Sequence, residues 1–323
     1  MGKMNKHRLH TQSMGWTEWG LLILLSILWG GSFFFNGVAV KEISVFTVVF
    51  GRVGIAAIAL LLLIQLRGIA FPMDPRILGS FLIMGAVNNL IPFSLIVAGQ
   101  TQIGSGLASI LNATTPLFTA VIAHSFTGDI KERLTGHRVA GVILGIVGVT
   151  IMIGPDIQEI GFTGPEVIGQ LAILGAALSY GVALVYGRRF SKAGLSPMVT
   201  ATGQVSASTL LLFPIIIFIE QPWTYIETVS STALLSVVGL ALLSTVLAYI
   251  IFFKILSTAG ATNVSLVTLL VPVSAILLGV MFLGETLSGS MIAGMIFIGL
   301  GLIVIDGRAL SLFKQKKPGE MPG

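Results

Sequence analysis

Cysteine is absent from the 323 residues. This rules out a disulfide framework, a thiol nucleophile and a thiolate-held metal, and the four histidines are too scattered to form a ligand cluster in their place. Charge is scarce too: Asp, Glu, Lys and Arg make up 10% of the chain, against roughly a quarter in soluble domains. A water-soluble surface cannot be built from so little. The acidic residues fall at the edges of apolar runs, in the short stretches between them, or in the tails, and none lies deep within a run. A carrier of hydrophobic cations with a membrane-buried carboxylate as its proton site is therefore disfavoured. Lys and Arg are nowhere gathered into a dense patch, so a net charge of +5 does not point to nucleic acid. The alternating pattern of a membrane barrel is also missing.

What the chain has in abundance is apolar sequence, with 54% hydrophobic residues and a mean hydropathy of +0.98. Uncharged runs of about 18 residues or more recur along its length, and helices satisfy their backbone within each such run. Spans are predicted near 19–40, 45–66, 77–98, 104–127, 136–153, 166–187, 197–219, 232–253, 261–283 and 288–306. Lys3, Lys6 and Arg8 before the first run imitate a secretory signal, but the run is long and more spans follow, so it reads as the first span. The connections are short and leave no room for a large domain outside the membrane.

Basic residues test this count independently, because they accumulate in short cytoplasmic loops. With the N-terminus inside, every Lys and Arg except Lys41 and Arg52 falls on the cytoplasmic side: the N-terminal group, Arg67 and Arg76, Lys131, Arg133 and Arg138, Arg188, Arg189 and Lys192, Lys254, and Arg308, Lys314, Lys316 and Lys317. The expectation is an all-α membrane protein of ten transmembrane helices, with both termini cytoplasmic, in the inner (plasma) membrane.

The two halves repeat each other. A shift of 156 positions superposes Gly104 on Gly260, Ser109 on Ser265, Asn112 on Thr268, Pro116 on Pro272, Gly128 on Gly284 and Asp129 on Glu285. At a shift of 152, Gly51-Arg52 lies opposite Gly203-Gln204. Five spans per half force the second copy to enter from the opposite side, the inverted repeat common in secondary transporters. The expected organisation is a tail at 1–15, one five-helix repeat at 16–154, a second at 155–307 with its leading loop, and a tail at 308–323.

The residues Trp29-Gly30-Gly31-Ser32, Arg52, and the paired endings Pro116…Gly128-Asp129 and Pro272…Gly284-Glu285 carry a resemblance over about residues 16 to 307. The chain resembles the drug/metabolite transporter superfamily, specifically the group with two EamA-type repeats. It departs from the usual pattern at Asp129, where Glu is common, and at Tyr180, where Trp29 would repeat. The resemblance implies a ten-helix bundle around a central cavity that moves amino acids, sugars, nucleotide derivatives or drugs, often outward. It calls for no cofactor.

Polar groups at membrane depth face a cavity, the bundle interior or a partner helix. Ser105, Ser109, Asn112, Pro116 and Thr119 share one face of span four, and Ser265, Thr268 and Pro272 repeat that stripe in span nine. Each proline frees a carbonyl near Asn112 or Thr268. The candidate substrate contacts are Trp29, Asn36, Arg52, Asn88, Asn89, Asn112, Tyr180, Gln204, Tyr249 and Thr268, and the candidate helix breaks are Pro92, Pro116 and Pro272. Arg52 has two readings: it snorkels outward to pair with Glu42, or it is buried and holds an anionic or zwitterionic substrate.

Asp129 and Glu285 belong on opposite faces, so they form no dyad, and each is expected to accept donors at a helix N-terminus. The glycines of spans five and ten suit close packing, within the bundle or in a homodimer. An intramembrane enzyme is disfavoured, since His124 lies at the far end of the helix from Ser105. The reading is a carrier that exports an amino-acid-like small molecule by alternating access, its coupling ion open. Lipid translocation, a channel, and carriage of neutral drugs are the alternatives.

Overall fold

The structure, a computed structural model, describes residues 15–126, 136–160 and 163–306. They are helical throughout apart from turns and short connections. We number the helices α1 (Trp16–Ala39), α2 (Val45–Leu66), α3 (Pro75–Gly99), α4 (Ser105–Phe126), α5 (Gly136–Ile160), α6 (Pro165–Lys192), α7 (Pro197–Glu220), α8 (Ser231–Ala259), α9 (Val267–Leu283) and α10 (Gly289–Asp306). A short turn, Ala261–Val264, precedes α9. Eight of these helices are long and apolar enough to cross a membrane, and the last two, Val267–Leu283 and Gly289–Ile305, are shorter and apolar.

Helix starts are written in the local sequence. Asp74 caps α3, its carboxylate accepting Arg76 N–H at 2.7 Å with Pro75 behind it, while Ser196 caps α7 and Ser230 caps α8 through their hydroxyls. The ends use backbone freedom. Gly284 stops α9 at a φ of 69°, where a side chain would be strained.

The helices carry apolar side chains on both their buried and their exposed faces. One face is buried, as at Leu22, Leu25, Val53, Leu60, Ile173 and Leu240, and the other exposes large side chains such as Ile58, Leu62, Phe213, Phe218, Leu277 and Phe282. Such outward-facing surface suits lipid and not water.

The packing has two-fold pseudosymmetry. The contact of α1 with α9 recurs as α6 with α4, α1 with α8 recurs as α6 with α3, and α2 with α8 recurs as α7 with α3; α2 meets its own counterpart α7, and α5 meets α10. Glycines set the approach. A Cβ at Gly141 would lie 2.6 Å from the Gly301 carbonyl oxygen, and one at Gly148 would lie 2.8 Å from that of Gly294. Numbers rise along α5 as they fall along α10, so these equivalent helices run antiparallel, as inverted repeats require. The glycine faces of spans five and ten thus pack on each other within the chain. Gly141→Leu should lower thermal stability in detergent by about 1–3 kcal/mol through overpacking. Gly20→Leu, where a Cβ meets nothing within 4 Å, should leave the melting temperature unchanged; equal effects would show that the α5–α10 contact is looser than drawn.

Candidate functional site

Two helices lose their regular ladder near mid-length. A π-helical turn interrupts α3 at Ala86–Leu90, and another interrupts α8 at Leu242–Leu247. The shift of 156 carries the first onto the second. Such turns splay side chains and loosen backbone hydrogen bonding, and they gather at functional sites. Around them a buried polar cluster assembles. Arg52 of α2 is buried at 7% exposure. Its Nε donates to Thr245 Oγ1 at 3.0 Å, and its guanidinium carbon stands 3.8 Å from the centre of the Phe93 ring, a cation–π geometry.

Tyr180 and Tyr249 pack against the same buried cluster as Phe93, and Tyr180 meets the Phe93 ring edge-on at 6.4 Å. Gln204 of α7 links the second side: its Oε1 accepts from Asn88 Nδ2 at 2.9 Å, and its Nε2 donates to Tyr249 Oη at 3.3 Å. Among the described residues, no carboxylate pairs with Arg52 and no side chain accepts from its two Nη groups. Four N–H donors therefore remain for something else.

Of the sequence candidates, Arg52, Asn88, Tyr180, Gln204 and Tyr249 come together here. Asn89 stands beside them, its Nδ2 on Ser208 at 3.0 Å and its Oδ1 buried without a partner. Trp29 connects to the cluster through a chain of rings: it packs on Phe252 at 5.6 Å, Phe252 on Phe253 at 5.5 Å, and Phe253 stacks on Tyr249 at 5.8 Å.

Asn36 belongs elsewhere, donating to Gln100 Oε1 at 3.2 Å near the end of α1. Asn112 and Thr268 are not in the cluster. Asn112 keeps a buried, unpartnered Oδ1, and Thr268 turns its hydroxyl back onto Ser265 O at 2.7 Å. Two of the three prolines follow an interruption closely, and Pro272 lies inside the continuous helix α9. Pro92 follows the π-helical turn of α3, α4 breaks between Asn112 and Thr115 just before Pro116, and the ladder is broken between Val264 and Val267 ahead of Pro272. Phe93 is not among the sequence candidates, although it is the repeat partner of Tyr249 at the 156 shift.

Glu42 does not pair with Arg52. It accepts from Ser230 N and Oγ, each at 2.7 Å, and so caps α8 from across the repeat boundary. Two further carboxylates act alike at this end of the bundle. Glu220 accepts from Phe46 N at 2.9 Å, Thr47 N at 2.6 Å, Thr47 Oγ1 at 2.6 Å and Ser44 Oγ at 2.5 Å, at the start of α2. Glu285 accepts from Ser105 N at 2.6 Å and Gly106 N at 2.9 Å, at the start of α4. It therefore caps a helix of the other repeat and not α10, which follows it. Asp129 lies outside the described residues.

The Ser230 donors hold the Glu42 carboxyl below its ordinary value of 4.5. A lowered folded-state pKa means that this tie contributes fully above the ordinary value and is lost as pH falls through the lowered one. The melting temperature of Glu42→Gln should consequently approach that of the wild type as pH falls below about 4.5, the ordinary carboxyl value. A difference that stays constant from pH 7 to pH 3 would count against the tie.

A helical bundle with inverted equivalent helices, a buried cation and interrupted helices around it has the build of a multi-pass membrane carrier. The EamA-like transporter family matches residues 17–154 and 167–306, once in each half. The chain belongs to this family, within the drug/metabolite transporter superfamily, and is a transporter and not an enzyme. It is 29% identical to the uncharacterized inner membrane transporter YedA of Escherichia coli, covering 93% of this chain and 92% of that protein. It is 26% identical to the uncharacterized transporter YoaV of Bacillus subtilis over 88% of this chain and 94% of that one. The probable amino-acid metabolite efflux pump of Salmonella typhimurium is 28% identical over 62% of this chain and 67% of the pump. A solved crystal structure at 19% identity superposes with a TM-score of 0.63, covering 92% of this chain and 98% of that one, a likeness of fold.

Proposed function

We propose that this chain is a secondary transporter of the plasma membrane, with ten spanning helices and both termini cytoplasmic, that exports a small amino-acid-like solute, anionic or zwitterionic, by alternating access. One observation carries the substrate class: a buried guanidinium that pairs with no carboxylate among the described residues. Burying an uncompensated cation is costly, and a substrate carboxylate relieves that cost with a bidentate, charge-assisted bond. Phe93, Tyr180 and Tyr249 supply the apolar walls, Asn88, Asn89 and Gln204 the neutral polar ones, and Trp29 backs them. The Salmonella relative is named a probable amino-acid metabolite efflux pump, which agrees with this reading.

Pro92, Pro116 and Pro272 mark the points about which the repeats rearrange, carrying Asn112 and Thr268 with them; Asn36 acts at the outer end. The carboxylate ties at Glu42, Glu220 and Glu285 hold that end together in the state described.

Arg52→Gln should weaken a carboxylate substrate about ten- to a hundredfold, the worth of a charge-assisted hydrogen bond of roughly 1.5–3 kcal/mol. The neutral amide analogue should lose less, in surface-normalised uptake into everted vesicles. Equal losses for both would assign Arg52 to helix packing alone. Reporter fusions at Pro72 and Ser191 should read cytoplasmic, and those at Gln158 and Tyr225 external. The same side for Pro72 and Gln158 would overturn the ten-span arrangement.

A further inference from the structure

Resting on that reading of Arg52, a second residue bears on the charge of the substrate. Arg52 and Gln204 are repeat equivalents at the 152 shift, and the structure holds them in matching settings. Each follows a glycine at a tight crossing: a Cβ at Gly51 would come within 2.5 Å of Val237, and one at Gly203 within 2.5 Å of the Phe81 ring. Phe81 and Val237 are themselves related by the 156 shift. Arg52 and Gln204 thus sit at equivalent depth on α2 and α7, which pack against each other across the pseudo-two-fold.

Their partners match too. Arg52 reaches into the other repeat's π-helical turn at Thr245 and lies on its own repeat's Phe93. Gln204 reaches into the other repeat's π-helical turn at Asn88 and bonds its own repeat's Tyr249. Phe93 and Tyr249 are equivalent at the 156 shift, as are Asn89, next to Asn88, and Thr245. Both side chains are buried, Arg52 at 7% and Gln204 at 5% exposure. The scaffold therefore offers two equivalent recognition positions and fills them differently, one with a cation and one with a neutral amide.

We propose that Gln204 is the charge-selecting counterpart of Arg52, so that the site accepts substrates with a single carboxylate and rejects dicarboxylates. The physical reason is electrostatic. One guanidinium compensates one carboxylate. A second carboxylate on the far side of the pseudo-two-fold would meet an amide and hydroxyls in a low-dielectric interior, with no cation to offset its lost hydration. A neutral polar group of the same shape meets Gln204 without that cost, and Tyr249, which accepts from Gln204, keeps its O–H to donate.

The test uses isosteric pairs that differ only in the second charge: glutamine against glutamate, and succinamate against succinate. Purified full-length protein in nanodiscs is assayed for binding of each labelled compound, with size-exclusion profiles reporting folding. At least one amide should bind wild type, about tenfold or more tightly than its diacid, and Gln204→Arg should invert that preference. Wild type that binds neither amide, or that binds amide and diacid alike, overturns the proposal, as does a monodisperse Gln204→Arg protein with unchanged preference.

If Gln204→Arg does not fold, Gln204→Leu, which adds no charge, decides. It should lose the advantage of succinamate over butyrate, or of glutamine over norvaline, and its retention overturns the proposal. Arg52→Gln separates this inference from its parent. Loss of the amides in Arg52→Gln together with an unchanged ratio in Gln204→Arg refutes only the role of Gln204, whereas unimpaired binding in Arg52→Gln refutes both.

Discussion

Lipid offers no hydrogen-bond partner to a peptide group, and the architecture of this protein follows from that constraint. Helices meet it along their length, but every helix end and break reopens it. At the starts of α2, α4 and α8 the answer is a carboxylate from the other repeat: Glu220, Glu285 and Glu42. At the breaks it is a nearby hydroxyl, as where Thr115 donates to Asn112 O at 2.8 Å and Thr268 to Ser265 O at 2.7 Å. Satisfying the ends of the helices thereby ties the two halves together at one end of the bundle.

With little hydrophobic drive between helices in lipid, close approach has to come from small residues. Gly30 lets α1 meet α9 at Ser274, and its counterpart Gly181 lets α6 meet α4 at Phe118. Gly51 and Gly203 do the same beside the candidate site. These contacts come in equivalent pairs, so the two-fold relation of the halves extends from helix order down to side chains. It breaks where chemistry differs: Arg52 against Gln204, Phe93 against Tyr249, Trp29 against Tyr180.

Among the described residues, the Arg52 guanidinium is buried without an opposite charge to repay it. Thr245 and the face of Phe93 offset part of the cost. What remains is what a carrier can use, because an interaction completed only by substrate couples binding to the state of the bundle.

Composition and periodicity determined that the chain is a helical membrane protein in two similar halves, because apolar runs and a repeated Pro…Gly-Asp/Glu ending leave few other structures open. Arg52 stood out for the same reason: a charge inside an apolar run is conspicuous in one dimension. The carboxylate ties were not legible. Glu42 could be read as a partner for Arg52 from nearness along the chain, whereas Ser230, its true partner, is brought to it only when α8 packs beside α1 and α2. Asn36, Asn112 and Thr268 shared the polarity and depth of Asn88 and Gln204, and sequence had no means to separate them. Only the tertiary structure chose, because which face of a helix meets the cluster depends on its rotation and on where π-helical turns reset that rotation, and both are fixed by packing between helices far apart in the chain.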